Sequence, residues 1–290
     1  MNVRIPEKYR MVAADATLLL IASIWGGGFI ASKEALATMP SFGVMAARFL
    51  SSALVMFVLF HRTILAHHSK KDIFFGVVIG VIQFIAFIFQ LEGLSLTTVE
   101  KQSFLITSYV IFVPFLSWIA TRQRIRKLDI VCAVLAVIGL GLLCLKPENL
   151  TFQLGDILSV IAALFFGIQI VYVANFVKGA NMISMSFFQL ATIGILGLPF
   201  SGISGITSGD MNAFLGIAYL ALFNTAFAFS AQNIAQQYTT DAHASLLISF
   251  ESVFGFLLAV WFYGSVVTGQ EIVGCVCMLA AVLLSNVKKG

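Results

Sequence analysis

The chain has 290 residues, 60% of them apolar and only 10% charged, with a mean hydropathy of +1.00. Soluble domains carry about 25% charged residues, so a water-soluble globule is excluded and the bilayer acts as the solvent. The net charge of +4 reads as membrane topology rather than as a nucleic-acid surface, because the basic residues fall mainly in alternate loops.

A spanning helix needs about 20 mostly apolar residues, and ten stretches qualify: 13–32, 43–61, 73–92, 97–119, 128–145, 154–175, 182–200, 211–232, 240–263 and 267–287. The intervals between them hold Pro40, Pro147 and the Gly202, Gly205 and Gly209 run, as surface turns would. In the first stretch, Trp25 precedes Gly26, Gly27 and Gly28. That glycine run predicts close helix packing or a loosened helix, with Trp25 turned toward a cavity. Arg48 sits about one and a half turns inside the second stretch, where it either snorkels outward or pairs with Glu34 or Glu92. Gly76 and Gly80 form a GxxxG packing face in the third.

Uncharged polar residues concentrate in the third, sixth and eighth stretches: Gln83 and Gln90; Gln169, Tyr172 and Asn175; Asn224, Thr225, Gln232 and Asn233. An unpaired amide costs several kcal/mol in hydrocarbon. These groups are therefore expected to point inward, either lining a pocket for a small metabolite or tying helices together. Trp118 and Trp261 end the fourth and ninth stretches as interface anchors. The cysteines, Cys132, Cys144, Cys275 and Cys277, all lie within spans, with no nearby histidine to complete a metal site.

Residues 97–112 (TTVEKQSFLITSYVIF) recur 142 positions later as residues 239–254 (TTDAHASLLISFESVF), and the same offset superposes Asp129-Ile130-Val131 on Glu271-Ile272-Val273. The chain is thus an internal duplication, with one five-helix repeat over residues 1–147 and a second over 148–290. Five crossings per half is an odd number, so the second half enters the membrane from the side opposite the first. The predicted fold is an all-α membrane protein of ten transmembrane helices arranged as two inverted repeats around a shared midplane interface, a plan suited to alternating access. Thirteen of the seventeen basic residues, among them Arg4, Lys8, Arg10, Arg62, Lys70, Lys71, Arg122, Lys178, Lys288 and Lys289, fall on one side. By the positive-inside rule, that side is the cytoplasm and both termini are cytoplasmic; Lys33, Lys101 and Lys146 lie on the other.

Glu251 is about ten residues from either end of the ninth span, near the bilayer centre, where an ionised carboxylate is very costly. It is expected to face protein or water and either to exchange a proton as the cavity changes sides or to hold helices together by hydrogen bonds. The repeat equates Glu251 with Tyr109, and Glu100 and Lys101 with Ala242 and His243. Inversion places Glu100 and Lys101 at one mouth and Asp241 and His243 at the other, as candidate gates together with Arg48, or as ordinary interfacial charges. Gln90 and Gln232 also correspond under the offset.

Trp25-Gly26, Ala47-Arg48-Phe49, Thr107-Ser108-Tyr109 with Pro114, and Leu247-Ile248-Ser249-Phe250-Glu251 follow one another in order, then Gly264, Gly269-Gln270-Glu271 and Gly274. On these motifs the sequence resembles the drug/metabolite transporter superfamily, in its ten-helix EamA type, over essentially the whole chain. Ser252 stands where that family usually carries proline, which removes the sequence reason for a helix break beside Glu251. The resemblance implies a secondary transporter of the inner (cytoplasmic) membrane, moving a small organic metabolite or drug outward by proton coupling or exchange. Its partners are that solute and the lipid bilayer, not nucleic acid, with the protein a monomer or homodimer. No cofactor is expected, and no G-x-x-x-x-G-K-[ST] loop for nucleotide is present.

Two other classes compete. An intramembrane enzyme needs convergent acid, base and nucleophile at one depth, whereas His243 stands roughly 12 Å from Glu251 at 1.5 Å per residue. A channel needs a continuous polar track or a ring of subunits, and scattered amides suit an occluded pocket better.

Overall fold

The computed structural model describes residues 7–66, 68–145, 151–207, 209–263 and 267–285, and among these there is no β-strand. Each predicted stretch is a rod: α1 (Glu7–Leu36), α2 (Ser41–Ala66), α3 (Lys70–Ser95), the pair α4 (Val99–Thr107) and α5 (Tyr109–Thr121), α6 (Lys127–Cys144), α7 (Leu154–Phe176) and α8 (Met182–Thr207). The eighth rod joins α9 (Met211–Tyr219), a π-helical segment (Leu220–Phe227), α10 (Ala228–Ala235) and a 3₁₀ turn; the ninth joins α11 (Asp241–Ile248) to α12 (Glu251–Tyr263); the tenth is α13 (Gly269–Ser285). Nine rods are long and apolar enough to cross a bilayer among the described residues, and α13 is a shorter apolar helix.

The 142-residue offset read from the sequence also relates the helix boundaries. Tyr109–Thr121 maps onto Glu251–Tyr263, and the starts Lys127 and Gly269 coincide. Both copies begin the broken rod with the same cap: Thr98 accepts a bond from the Lys101 amide, and Thr240 from the His243 amide, each 3.3 Å. A threonine at the N-cap satisfies one of the amides that a helix start leaves open. The Thr-Thr pair shared by the repeats is therefore a start signal used twice.

The ninth rod breaks beside Glu251 without a proline. Ser249 Oγ takes the Leu246 carbonyl at 2.7 Å, and the backbone tightens to a Ser252 N to Ser249 O bond of 3.3 Å. Ser108 does the same in the fourth rod, donating to Leu105 O at 2.6 Å. A hydroxyl bonded back to its own helix competes with the ladder, and such a bond accompanies the break in both rods.

Packing follows the duplication. α2 lies along its counterpart α8 and α6 along its counterpart α13, while α1 packs on α9, α10 and α12 just as α7 packs on α3, α4 and α5. The GxxxG face of α3 meets α8, where a Cβ on Gly76 would come within 2.6 Å of Met185 O and one on Gly80 within 2.8 Å of Gln189 O. Arg10, Arg62, Lys70, Lys71, Arg122 and Lys178 sit at rod ends on the face where α1 starts, called here the basic face. Arg4, Lys146, Pro147, Gly264, Lys288 and Lys289, and the boundary between residues 147 and 148, lie outside the described residues. Trp118 and Trp261 are exposed at 45% and 83%, as side chains facing lipid would be.

Candidate functional site

A cavity with about 540 Å³ of empty space lies where the two halves meet. Its wall is largely duplicated. Gly28 and Ile170, Phe87 and Phe229, Gln90 and Gln232, Ile106 and Ile248, and Tyr109 and Glu251 all line it, and each pair is related by the 142-residue offset. A chamber lined in this way sits on the pseudo-two-fold axis. Trp25, Phe29, Ser32, Arg48, Phe166, Gln169 and Asn224 complete the wall without matched partners in it.

The two charged residues break the symmetry. Glu251 stands opposite Tyr109 in the repeat, and Arg48 corresponds to Leu190. Glu251, 5% exposed, accepts a bond from Thr107 Oγ1 at 3.0 Å on Oε1, and its Oε2 has no protein partner among the described residues. Thr107 and Ser103 also bond Ser252 Oγ, at 3.1 and 2.7 Å. The serine standing in place of the family's proline is thus the centre of a hydroxyl cluster joining the broken rods of the two repeats. Neither Thr107 nor Ser103 stood out in the sequence as a site residue. The signal for Ser103 lay in its identity with Ser245 across the repeats, and that for Thr107 in the hydroxyl it shares with Ser249.

Arg48 neither snorkels to the surface nor pairs with Glu34 or Glu92, as its sequence position suggested. It is 4% exposed, donates from Nε to Thr225 Oγ1 at 2.6 Å and from Nη2 to Asn224 Oδ1 at 2.7 Å, and lies over the rings of Phe49 and Phe87. The cause is the π-helical segment. Its wider turn presents Asn224 and Thr225 toward α2 and offers the Asn224 carbonyl to Trp25 Nε1 at 2.8 Å. Single π turns inside α-helices recur at functional sites. Among the described residues no carboxylate lies within 4.0 Å of the guanidinium.

Tyr109 Oη, Gln90 Oε1, Gln169 Nε2 and Gln232 Oε1 are buried at the cavity wall without a protein hydrogen bond. Unsatisfied buried groups are uncommon, and four on one chamber suit a bound polar molecule or water. Gln83 and Tyr172, grouped with these in the sequence, lie elsewhere. Gln83 Oε1 accepts from Gln189 Nε2 at 2.6 Å, and Gln189 Oε1 accepts from Asn233 Nδ2 at 2.7 Å, so these amides tie α3, α8 and α10 together. Tyr172 stacks among Phe75 and Phe176. Gln189→Leu is expected to strand the Gln83 carbonyl and leave the Asn233 amide with only its bond to Ser186, at a cost of about 1–3 kcal/mol, seen as a lower melting temperature with no change in ligand affinity.

The candidate gate residues other than Arg48 sit near the starts of α4 and α11, on opposite faces. On the face opposite the basic one, Lys101 of α4 pairs with Asp156 of α7 at 2.6 Å, and Asp156 is held further by Thr97 and the Gln153 amide. On the basic face, His243 of α11 lies 3.3 Å from Asp15 of α1, with its Nδ1 2.7 Å from Ser285 Oγ, and Asp241 accepts from Asn175 at 2.9 Å. Lys101 and His243 are repeat counterparts, so each half reaches across to an aspartate of the other. Glu100 instead lines a wider crevice of about 1180 Å³ with Lys33, Glu34 and Glu271.

The sequence profile of the EamA-like transporter family matches residues 12–145 and again residues 153–287. An uncharacterized transporter of Archaeoglobus fulgidus is 31% identical over 284 residues, covering 97% of this chain and 88% of that protein. An uncharacterized transporter of Buchnera aphidicola is 27% identical over 252 residues, 82% of each chain. A solved crystal structure at 16% identity superimposes with a TM-score of 0.76 over 94% of this chain and 97% of its own, a likeness of fold.

Proposed function

Since the chain belongs to the EamA-like transporter family, we propose that it moves a small organic solute out across the cytoplasmic membrane by alternating access, with both termini in the cytoplasm. The observation that carries this reading is the central chamber lined by repeat-related residues, with the repeat-related Lys101 and His243 each set beside an aspartate of the other half. Exchanging the conformations of the two halves exposes the same wall to the other side. When Lys101–Asp156 is made the outer mouth is latched, and when His243–Asp15 is made the inner one is. Glu251 is the proton-exchanging group in this scheme, because it lines the chamber and only one of its carboxylate oxygens has a hydrogen-bond partner among the described residues. Transport is driven by the proton gradient or by solute exchange, in a monomer or homodimer, with no catalytic role for the acids and histidine at the mouths.

Saturable flux in proteoliposomes, responding to an imposed pH gradient, is the expected result; flux that rises linearly with solute concentration overturns the carrier reading. The latches give a second test. With Ser32→Cys as reporter in a cysteine-free background, Asp156→Asn is expected to raise labelling by an impermeant thiol reagent from the outer face, and Asp15→Asn from the inner face. Losing one latch shifts a two-state equilibrium by about fivefold or more. Equal labelling changes from both faces in either variant remove the latch roles.

A further inference from the structure

We propose that the solute is an organic acid held by its carboxylate on the guanidinium of Arg48; only the movement of the bound acid across the membrane rests on the transporter reading. Three observations converge. The charge is buried in the chamber wall with no carboxylate within salt-bridge distance among the described residues. Its Nη1 makes no hydrogen bond there, although Nε and Nη2 are fixed by Thr225 and Asn224, so the group is oriented with donors left over. Finally, its repeat counterpart is Leu190, so the positive charge belongs to one half of the duplication and is not a feature of the repeat unit.

A buried cation is expensive unless paired. A planar guanidinium with free donors is the side chain best matched to a carboxylate, through parallel charge-assisted bonds. One guanidinium balances one negative charge. A dianionic phosphate ester would leave excess negative charge in a chamber that already contains Glu251, whereas a monocarboxylate matches the single positive charge of Arg48. The rest of the wall selects the body of the acid, since Trp25, Phe87, Phe166 and Phe229 offer apolar ring faces. The class is therefore a small monocarboxylate with a compact aliphatic or aromatic body.

The test uses the detergent-purified full chain. Sodium 3-methylbutanoate and phenylacetate are compared with the isosteric amides, 3-methylbutanamide and phenylacetamide, and with 3-methylbutylamine, by thermal unfolding at constant ionic strength. Binding to the folded form raises the melting temperature by mass action. The acids are expected to stabilise saturably and the amides and amine not to, a comparison made on the unaltered protein. Arg48→Gln is expected to weaken the apparent affinity for the acids at least about tenfold, and Arg48→Lys to keep part of it.

Equal stabilisation by amides or amine overturns the proposal, as does undiminished stabilisation by the acids in Arg48→Gln. A panel in which no acid protects also overturns it. Acids that bind but give no proteoliposome flux sink the transporter reading while sparing the binding site; amides or the amine transported in their place sink the acid assignment and spare the transporter.

Discussion

Glu251→Gln is expected to abolish accumulation driven by a pH gradient in proteoliposomes while leaving solute exchange across equal pH intact. One pH unit is worth about 1.4 kcal/mol, a tenfold accumulation for one coupled proton. The wild-type ratio should approach that value, and the variant's should fall to unity. The reason is local. Thr107 Oγ1 occupies one carboxylate oxygen at 3.0 Å and nothing described occupies the other, so glutamine preserves the bond to the α4 end and the shape of the wall while losing the exchangeable proton. Because Glu251 replaces the tyrosine of the first repeat, it is also the acid that an inverted copy of the site lacks. Gradient-driven accumulation unchanged in Glu251→Gln would falsify its role in coupling and leave it as a helix-joining residue.

Gly26→Ala is expected to be among the most damaging of the conservative changes to the scaffold. A Cβ there would lie 2.6 Å from the Gly255 amide nitrogen and 2.7 Å from the Glu251 carbonyl oxygen, both backbone atoms of α12. Backbone cannot swing aside as a flexible side-chain end can, so α1 and α12 must part, and with them the positions of Trp25 and Glu251. Overpacking of this kind costs about 1–3 kcal/mol or more, and each kcal/mol lowers the melting temperature by about 2–4 °C in chains of 150–250 residues. Gly141→Ala is the matched control. The nearest atom to its new methyl is 3.7 Å away, on Phe104, and alanine is the better helix former by up to about 1 kcal/mol. That variant should melt at or above the wild type. If both variants melt together, close approach at Gly26 is not what holds α1 to α12.

The same crossing separates what patterning revealed from what it hid. The glycine run at Gly26–Gly28 showed that something approaches α1 closely, and the structure supplies the partners: α12 at Gly26, the Tyr219 hydroxyl at Gly27 and the Asn224 amide at Gly28. Trp25 was expected at a cavity and lines one, yet its indole also anchors the Asn224 carbonyl. Ser252 illustrates the opposite case. Losing the family's proline removed the expected reason for a break beside Glu251, yet the break is present, with Ser249 bonded back to a helix carbonyl at it, a local contact that hydropathy does not register.

Polar residues divided in the same way. Gln90, Gln169, Asn224 and Gln232 line the chamber, whereas Gln83, from the same group and of the same residue type, serves a hydrogen-bonded seam between α3, α8 and α10. Gln83 and Gln90 are seven residues apart on one helix, close to two turns, so they share a face and differ chiefly in depth. Only the neighbours at each level, Gln189 beside one and the open chamber beside the other, decide which amide is tied up.

What the sequence determined by itself is the number of crossings, the duplication and its 142-residue offset, and with an odd count per half the inversion. Hydrocarbon imposes these, because each crossing must be about 20 apolar residues with its backbone bonded internally, and that demand is written residue by residue. What only the tertiary structure decided is where polar side chains meet: Arg48 on Asn224 and Thr225 through the π-helical turn, Lys101 on Asp156, His243 on Asp15. A rod apolar on every side has no periodic stripe to reveal its rotation. Its facing is set by close backbone contacts such as Gly26 against Gly255, which depend on partners far away in the chain.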